Sequence, residues 1–174
     1  MAEPDALAPD LLEGLAELPI EEVRARRAVC QEVETQLSYV RRLAQGRLDI
    51  VTSQIKARRD GTQGDRSLVE KLTEALSDRI TTPGFGHLPM VLEPGDIDPE
   101  LLASLDRAAP PSLVTSPDSM DDDQLRQVAD ALAALERDVS DRRRAMFDRI
   151  DALQAEIVRR YRTGEADVDS LLGR

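Results

Sequence analysis

The sequence predicts an all-α fold: a long antiparallel helical hairpin of the coiled-coil type, with a short intervening helix and irregular loops. Three observations carry that expectation. Residues 21–59 contain no Pro and one Gly, and Cys30, Val33, Leu37, Val40, Ala44, Val51 and Ile55 recur there at steps of three and four, or their sum. A second stretch, about 121–163, repeats the period with Leu125, Val128, Leu132, Leu135, Val139, Met146, Ile150, Leu153, Ile157 and Tyr161. Such a period gives a helix one apolar seam to pack against another helix. Aromatic residues make up only 2% of the chain and Trp is absent, so the apolar interior is expected from Leu, Val and Ile in elongated helix packing.

Each element follows from its local signals. Residues 1–19 form an acidic, Pro-containing N-terminal segment, in which Leu11, Leu12, Leu15 and Leu18 allow a short amphipathic turn or two. It could fold back on the hairpin or meet a partner. The hairpin domain spans 20–163. Its first long helix, about 21–59, starts near Pro19–Glu22, where acidic groups suit the positive helix end. It closes near Lys56–Arg59, where basic groups suit the negative end, and Asp60-Gly61 supplies the stop. Residues 65–80 read as a short helix with Leu68, Val69, Leu72, Leu76 and Ile80 on one stripe. Pro and Gly then punctuate an irregular stretch, 81–118, which reads either as an arm that packs on a partner, the favoured reading, or as a partly disordered segment. Within it, Pro99–Arg107 is a candidate short helix capped by Asp98. Ser119 is the expected cap of the second long helix, about 121–163, with Asp122 at its third position. Arg142 occupies one of that helix's seam positions. Gly164 ends it, and 164–174 reads as a frayed, flexible tail.

Composition excludes several function classes. The net charge is -11 over 174 residues, which opposes direct binding to duplex DNA, because phosphate recognition needs basic surface. An acidic surface suits a basic protein partner instead. The single cysteine, Cys30, falls on the seam and reads as a buried inert thiol, with no disulfide or thiolate metal cluster to form. No apolar run approaches membrane-spanning length, no basic region followed by an apolar core opens the chain, and the cytoplasm is the expected location. His87 lacks other His or Cys partners, and Asp121, Asp122 and Asp123 fit a helix start better than a cation site. No metal is expected. No nucleophile–base arrangement stands out either, so an enzyme is not expected.

The most informative feature is a polar row beside each seam. Glu34, Ser38, Arg41, Gln45 and Asp49 follow one another at spacings of four, three, four and four. Glu136, Ser140, Arg143, Phe147 and Asp151 do the same on the second helix, each one position after Leu135, Val139, Arg142, Met146 or Ile150. Four of the five residue types match. A pseudo-twofold antiparallel pair would oppose Glu34 to Asp151 and Asp49 to Glu136, with residue 21 near 164 and 59 near 126. Such rows are often ordinary coiled-coil flanks that form ion pairs and solubilise the surface. They also suit a symmetric polar ligand. An arginine fork pairs with phosphate or with guanine O6 and N7, and its flat face stacks on a base. A carboxylate accepts from the guanine N1–H and amino group, and Ser donates to phosphate.

The segment E-T-Q-L-S-Y-V-R-R-L-A-Q-G-R-L-D at 34–49 has the E-x3-S-x2-R-x3-Q-x3-D pattern and resembles RsiG, the actinobacterial anti-sigma factor family that responds to cyclic di-GMP. The second copy, E-R-D-V-S-D-R-R-R-A-M-F-D-R-I-D at 136–151, matches except at Phe147. The resemblance implies two such motifs on an antiparallel helical pair that bind a dimer of cyclic di-GMP. It also implies that the liganded protein holds the sporulation sigma factor WhiG inactive. Carried over by position, Arg41 and Arg143 are the guanine-stacking or guanine-pairing arginines. Asp49 and Asp151 are acceptors for guanine edges, and Glu34 and Glu136 either share that work or orient the arginines. Ser38 and Ser140 are phosphate or second-layer donors, and Gln45 is a polar ligand contact. Phe147 either stacks on a base or packs sideways. Arg42 and Arg144 also repeat and add positive charge. A nucleotide-independent coiled-coil adaptor is the alternative reading. A homodimer of hairpins would offer a larger ligand face, and the sequence leaves the stoichiometry open. Gly46, mid-helix, costs roughly 1 kcal/mol relative to Ala, which either a close ligand or partner backbone or simple drift accounts for.

Overall fold

The apolar period is realised as helix in both halves of the chain. The computed structural model describes residues 6–61 and 97–165. The short helix expected at about 65–80, and His87, lie outside them. The described chain is all-α. It comprises α1 (Ile20–Arg59), α2 (Pro99–Ala108), α3 (Pro111–Thr115), a 3-10 turn (Pro117–Ser119) and α4 (Asp122–Thr163).

The helix ends have separate causes. At the start of α1 the Pro19 carbonyl accepts from the N–H groups of Glu22 and Val23, at 3.0 and 3.2 Å. Beyond its end Gly61 adopts φ +67, a left-handed conformation that suits glycine. The cap of α4 is Asp121 and not Ser119. Asp121 Oδ1 accepts from the Gln124 N–H at 2.8 Å, and Gln124 Oε1 accepts from the Asp121 N–H at 2.9 Å. This reciprocal box needs a side-chain acceptor three residues before a Glu or Gln, and Asp121 with Gln124 meets that spacing. No helix among the described residues is long and apolar enough to cross a membrane.

The chain divides into two compact units. The first is built on 6–38 with 140–165. Here α1 and α4 run antiparallel: Arg24 bonds the Tyr161 hydroxyl, Arg27 bonds the Gln154 side-chain oxygen, and Arg143 bonds Glu34. Val23, Cys30 and Leu37 are buried from α1, and Met146, Leu153 and Ile157 from α4. The N-terminal segment folds back on this pair. Ala6 and Leu11 are buried, and arginines of both helices hold its carbonyls. Arg26 donates to Leu11 at 2.6 Å, Arg149 to Ala6 and Leu7, and Arg160 to Leu15 and Leu18.

The second unit is built on 39–61 with 97–139. Val40, Ala44 and Val51 are buried from α1, and Leu125, Leu132 and Val139 from α4. Pairing is again antiparallel, since Arg41 meets Glu136 and Arg58 meets Asp122. The described part of the expected irregular arm holds three short helical pieces. Asp98 caps α2 by accepting from the Glu100 N–H at 2.8 Å. Pro opens α2, α3 and the 3-10 turn, at positions where a missing N–H leaves no intrahelical bond unmade. These prolines start helices and do not merely interrupt them. This part of the arm packs on α1 of its own chain. Ile97, Leu105, Ala109 and Leu113 are buried, Arg47 donates to the Leu105 and Ala109 carbonyls and to Asp106, and Gln54, 4% exposed, donates to Asp118.

Candidate functional site

The seam is what places the polar rows. With Leu37, Val40 and Ala44 buried, the next residue along α1 stands at the edge of the apolar strip. Glu34, Ser38, Arg41, Gln45 and Asp49 are accordingly all half-buried. On α4 the first three row residues, Glu136, Ser140 and Arg143, are half-buried, whereas Phe147 and Asp151 are exposed. Arg42 and Arg144 are also exposed. Arg142 is exposed as well and lies outside the seam it was expected to occupy. A guanidinium gains more from water than from an apolar strip.

In the first unit, Arg143 Nε donates to Glu34 Oε1 at 2.9 Å, and Ser38 Oγ donates to the same oxygen at 2.7 Å. The Arg143 guanidinium lies 4.9 Å from the centroid of the Phe147 ring. In the second unit, Arg41 Nη1 and Gln45 Nε2 both donate to Glu136 Oε1, at 3.3 and 3.0 Å. Arg41 Nε is buried and has no partner among the described residues.

Each unit therefore shows, among the described residues, one Glu–Arg bridge between the two rows, and the two bridges join equivalent row positions. The expected register opposes Glu34 to Asp151 and Glu136 to Asp49, and the Arg24–Tyr161 bond joins two residues that this register also opposes. Each glutamate takes the arginine of the other row. Opposed carboxylates repel, while the long arginine side chain reaches along the helix to a carboxylate. The side chains that form the two bridges are 18–30% exposed, so the pairs are partly screened and serve chiefly to aim the guanidinium groups.

The chemistry available is recognition. In the first unit a fork, a hydroxyl and an exposed ring, and in the second a fork and an amide, are groups suited to anionic oxygens and planar base edges. Among the described residues, no group of three or more His, Cys, Asp or Glu could hold a metal ion. Burial pushes the Cys30 thiol up from its ordinary value, an effect that Arg149 opposes in part. The thiol therefore stays protonated and inert. Gly46 has open space around it, with nothing within 4 Å of an added Cβ, so no neighbour among the described residues requires glycine there.

Sequence reading missed the arginine clamp on the N-terminal segment. Arg160 is only 6% exposed, and its one available signal was its place three residues after seam residue Ile157.

Comparison with the curated proteins finds no match. A family model described as RsiG-like matches residues 9–76 and 114–174. Those stretches include both polar rows and well over half of the chain, which belongs to the RsiG-like family.

Proposed function

We propose that the protein is a cytoplasmic anti-sigma factor that binds a dimer of cyclic di-GMP on its two polar rows and sequesters a WhiG-type sigma factor, repressing sporulation transcription. Family membership supports an anti-sigma type of role and makes the chain a regulator and not a catalyst. The observation that supports the nucleotide reading is the Glu–Arg bridge between the rows in each unit, at matching positions of the two rows.

In this reading Arg41 and Arg143 leave their glutamates, wholly or in part, to meet guanine edges or phosphates. Asp49 and Asp151 accept from guanine N1–H and amino groups. Ser38 and Ser140 donate to phosphate, with Arg42 and Arg144 adding local positive charge in a chain of net charge -11. The acidic remainder suits a basic sigma-factor surface. Ligand and partner then promote one another's binding, as linkage requires.

Titration calorimetry with cyclic di-GMP tests this, with GTP and cyclic di-AMP as controls, in the presence and absence of the sigma factor. Saturable, guanine-selective binding of two ligands per chain, lost in the Arg41→Ala, Arg143→Ala double variant, is the expected result. No binding in either setting overturns the nucleotide reading. The alternative, a nucleotide-independent adaptor, draws on the same bridges, since both glutamates are satisfied without ligand. It expects the double variant to keep full affinity for the partner.

A further inference from the structure

The two rows match in sequence at four positions, yet their arginines are prepared differently. Arg143 spends its Nε on Glu34, and its two Nη groups make no hydrogen bond among the described residues. The fork end that would meet a guanine edge is thus open. One face of the same guanidinium lies on Phe147, whose ring is 41% exposed. Arg41 differs in having one of its two fork nitrogens engaged. Its Nη1 is engaged by Glu136, and its Nε is the buried, unpartnered nitrogen.

The residue at the fourth row position accounts for the difference. In the second unit Gln45 supplies Glu136 with a second donor. The equivalent residue on α4 is Phe147, which has no donor. Glu34 takes the Ser38 hydroxyl instead, and the ring is left beside Arg143. A cation held over a ring keeps its plane ordered, and an exposed ring next to a fork offers stacking together with edge pairing.

From this we infer that Phe147 and Arg143 form a purine-stacking platform that makes the first unit's half of the row the earlier and tighter point of nucleotide attachment. The second half binds later, because Arg41 must first release Glu136. The inference rests on the cyclic di-GMP reading and adds an order of occupancy to it.

The test uses the full chain, alone and with the sigma factor, carrying 4-fluorophenylalanine. The chain has two Phe residues, so Phe147→Leu assigns the fluorine signals. Cyclic di-GMP is titrated while fluorine NMR and calorimetry are recorded. The Phe147 signal is expected to shift and to saturate within the first half of the ligand uptake. Phe147→Gln, which restores the residue type of the first row, is expected to weaken the first binding step about 30-fold, the middle of the range for base–aromatic stacking, and to bring the two steps together. A Phe147 signal that follows the second half of uptake, or does not move while heat is released, overturns the platform and leaves the nucleotide reading standing. Neither heat nor shift in either setting overturns both.

Discussion

Arg160→Met is expected to cost about 3 kcal/mol and to loosen residues 6–18 from the helices they cover, on the scale of hydrogen bonds to charged groups. Arg160 is 6% exposed, and Met preserves most of its apolar stem while removing every donor. Three bonds disappear: Nε to Glu156 at 2.7 Å, Nη1 to the Leu18 carbonyl at 2.6 Å, and Nη2 to the Leu15 carbonyl. Bonds to charged groups contribute about 1.5–3 kcal/mol each, which summed would overstate the loss. Arg159 still serves Glu156 through two bonds of 2.9 Å, and the two carbonyls regain water once the segment lifts. The loss is therefore that of one to two such bonds. Hydrogen exchange reads it directly. The N–H groups of Leu11, Glu13 and Glu17 bond within the segment's own turns, and their exchange should accelerate about 100-fold if the segment opens at this cost. Urea denaturation supplies the global value, with Arg162→Met, an exposed neighbour, as the control. Wild-type exchange at those three amides, with an unchanged urea midpoint, would refute the view that Arg160 holds the segment down.

The remaining predictions concern charge, backbone and capping. Hydrogen bonds from Arg159 and Arg160 hold Glu156 down from 4.5 to about 2. Its folded value lies below its unfolded one, so its stabilisation is complete above about pH 4.5 and drains away as pH falls towards 2; acid titration of Glu156→Gln should show a flatter loss over that window. Gly46→Ala should raise stability by about 1 kcal/mol, some 3 °C in midpoint, because an added Cβ meets nothing within 4 Å; scanning calorimetry of the free chain reads this, and a fall would mean that the helix needs glycine there. Asp121→Ala should cost about 1 kcal/mol through loss of its cap, more than Ser119→Ala, whose hydroxyl bonds only to the Ser116 carbonyl; equal losses in denaturant would contradict the assignment of Asp121 as the cap.

The helices were legible because their information is local and repeated. Cys30, Leu37, Val40, Ala44 and Val51 mark one face at helical spacing, and all five are buried. What sequence left hidden depends on long polar side chains. Arg142 stood at a seam position and lies exposed, whereas Arg160, close to seam residue Tyr161, is buried. Periodicity counts apolar residues and cannot tell an arginine that points to water from one that finds carbonyls under a folded-back segment. The arm between 97 and 119 was hard to read for a related reason. Pro reads as a breaker in one dimension, yet here Pro99, Pro111 and Pro117 open helical pieces. The rows themselves were visible as a repeated spacing. Their side-chain pairing was not, because spacing says which residues share an edge, whereas charge and reach decide which of them touch.

That pairing bears on how an acidic chain could hold an anionic nucleotide. Each row arginine is already oriented by a glutamate, so part of the ordering a ligand would otherwise impose is in place beforehand. When a ligand oxygen replaces the glutamate, a carboxylate is released, and in a chain of net charge -11 that release opposes binding unless another donor stays with it. Each unit has such a donor. Ser38 remains with Glu34 at 2.7 Å, and Gln45 remains with Glu136 at 3.0 Å. The exchange then swaps one charge-assisted bond for another and strands no carboxylate. Phe147 alters this balance in one unit only. There the glutamate relies on a hydroxyl from its own helix, and the position that would have supplied an amide supplies an aromatic face. The departure from the repeated pattern thus removes one of Glu34's donors and adds a stacking surface beside Arg143. The missing amide donor raises the cost of turning that arginine towards a base, and the stacking surface beside it offsets that cost.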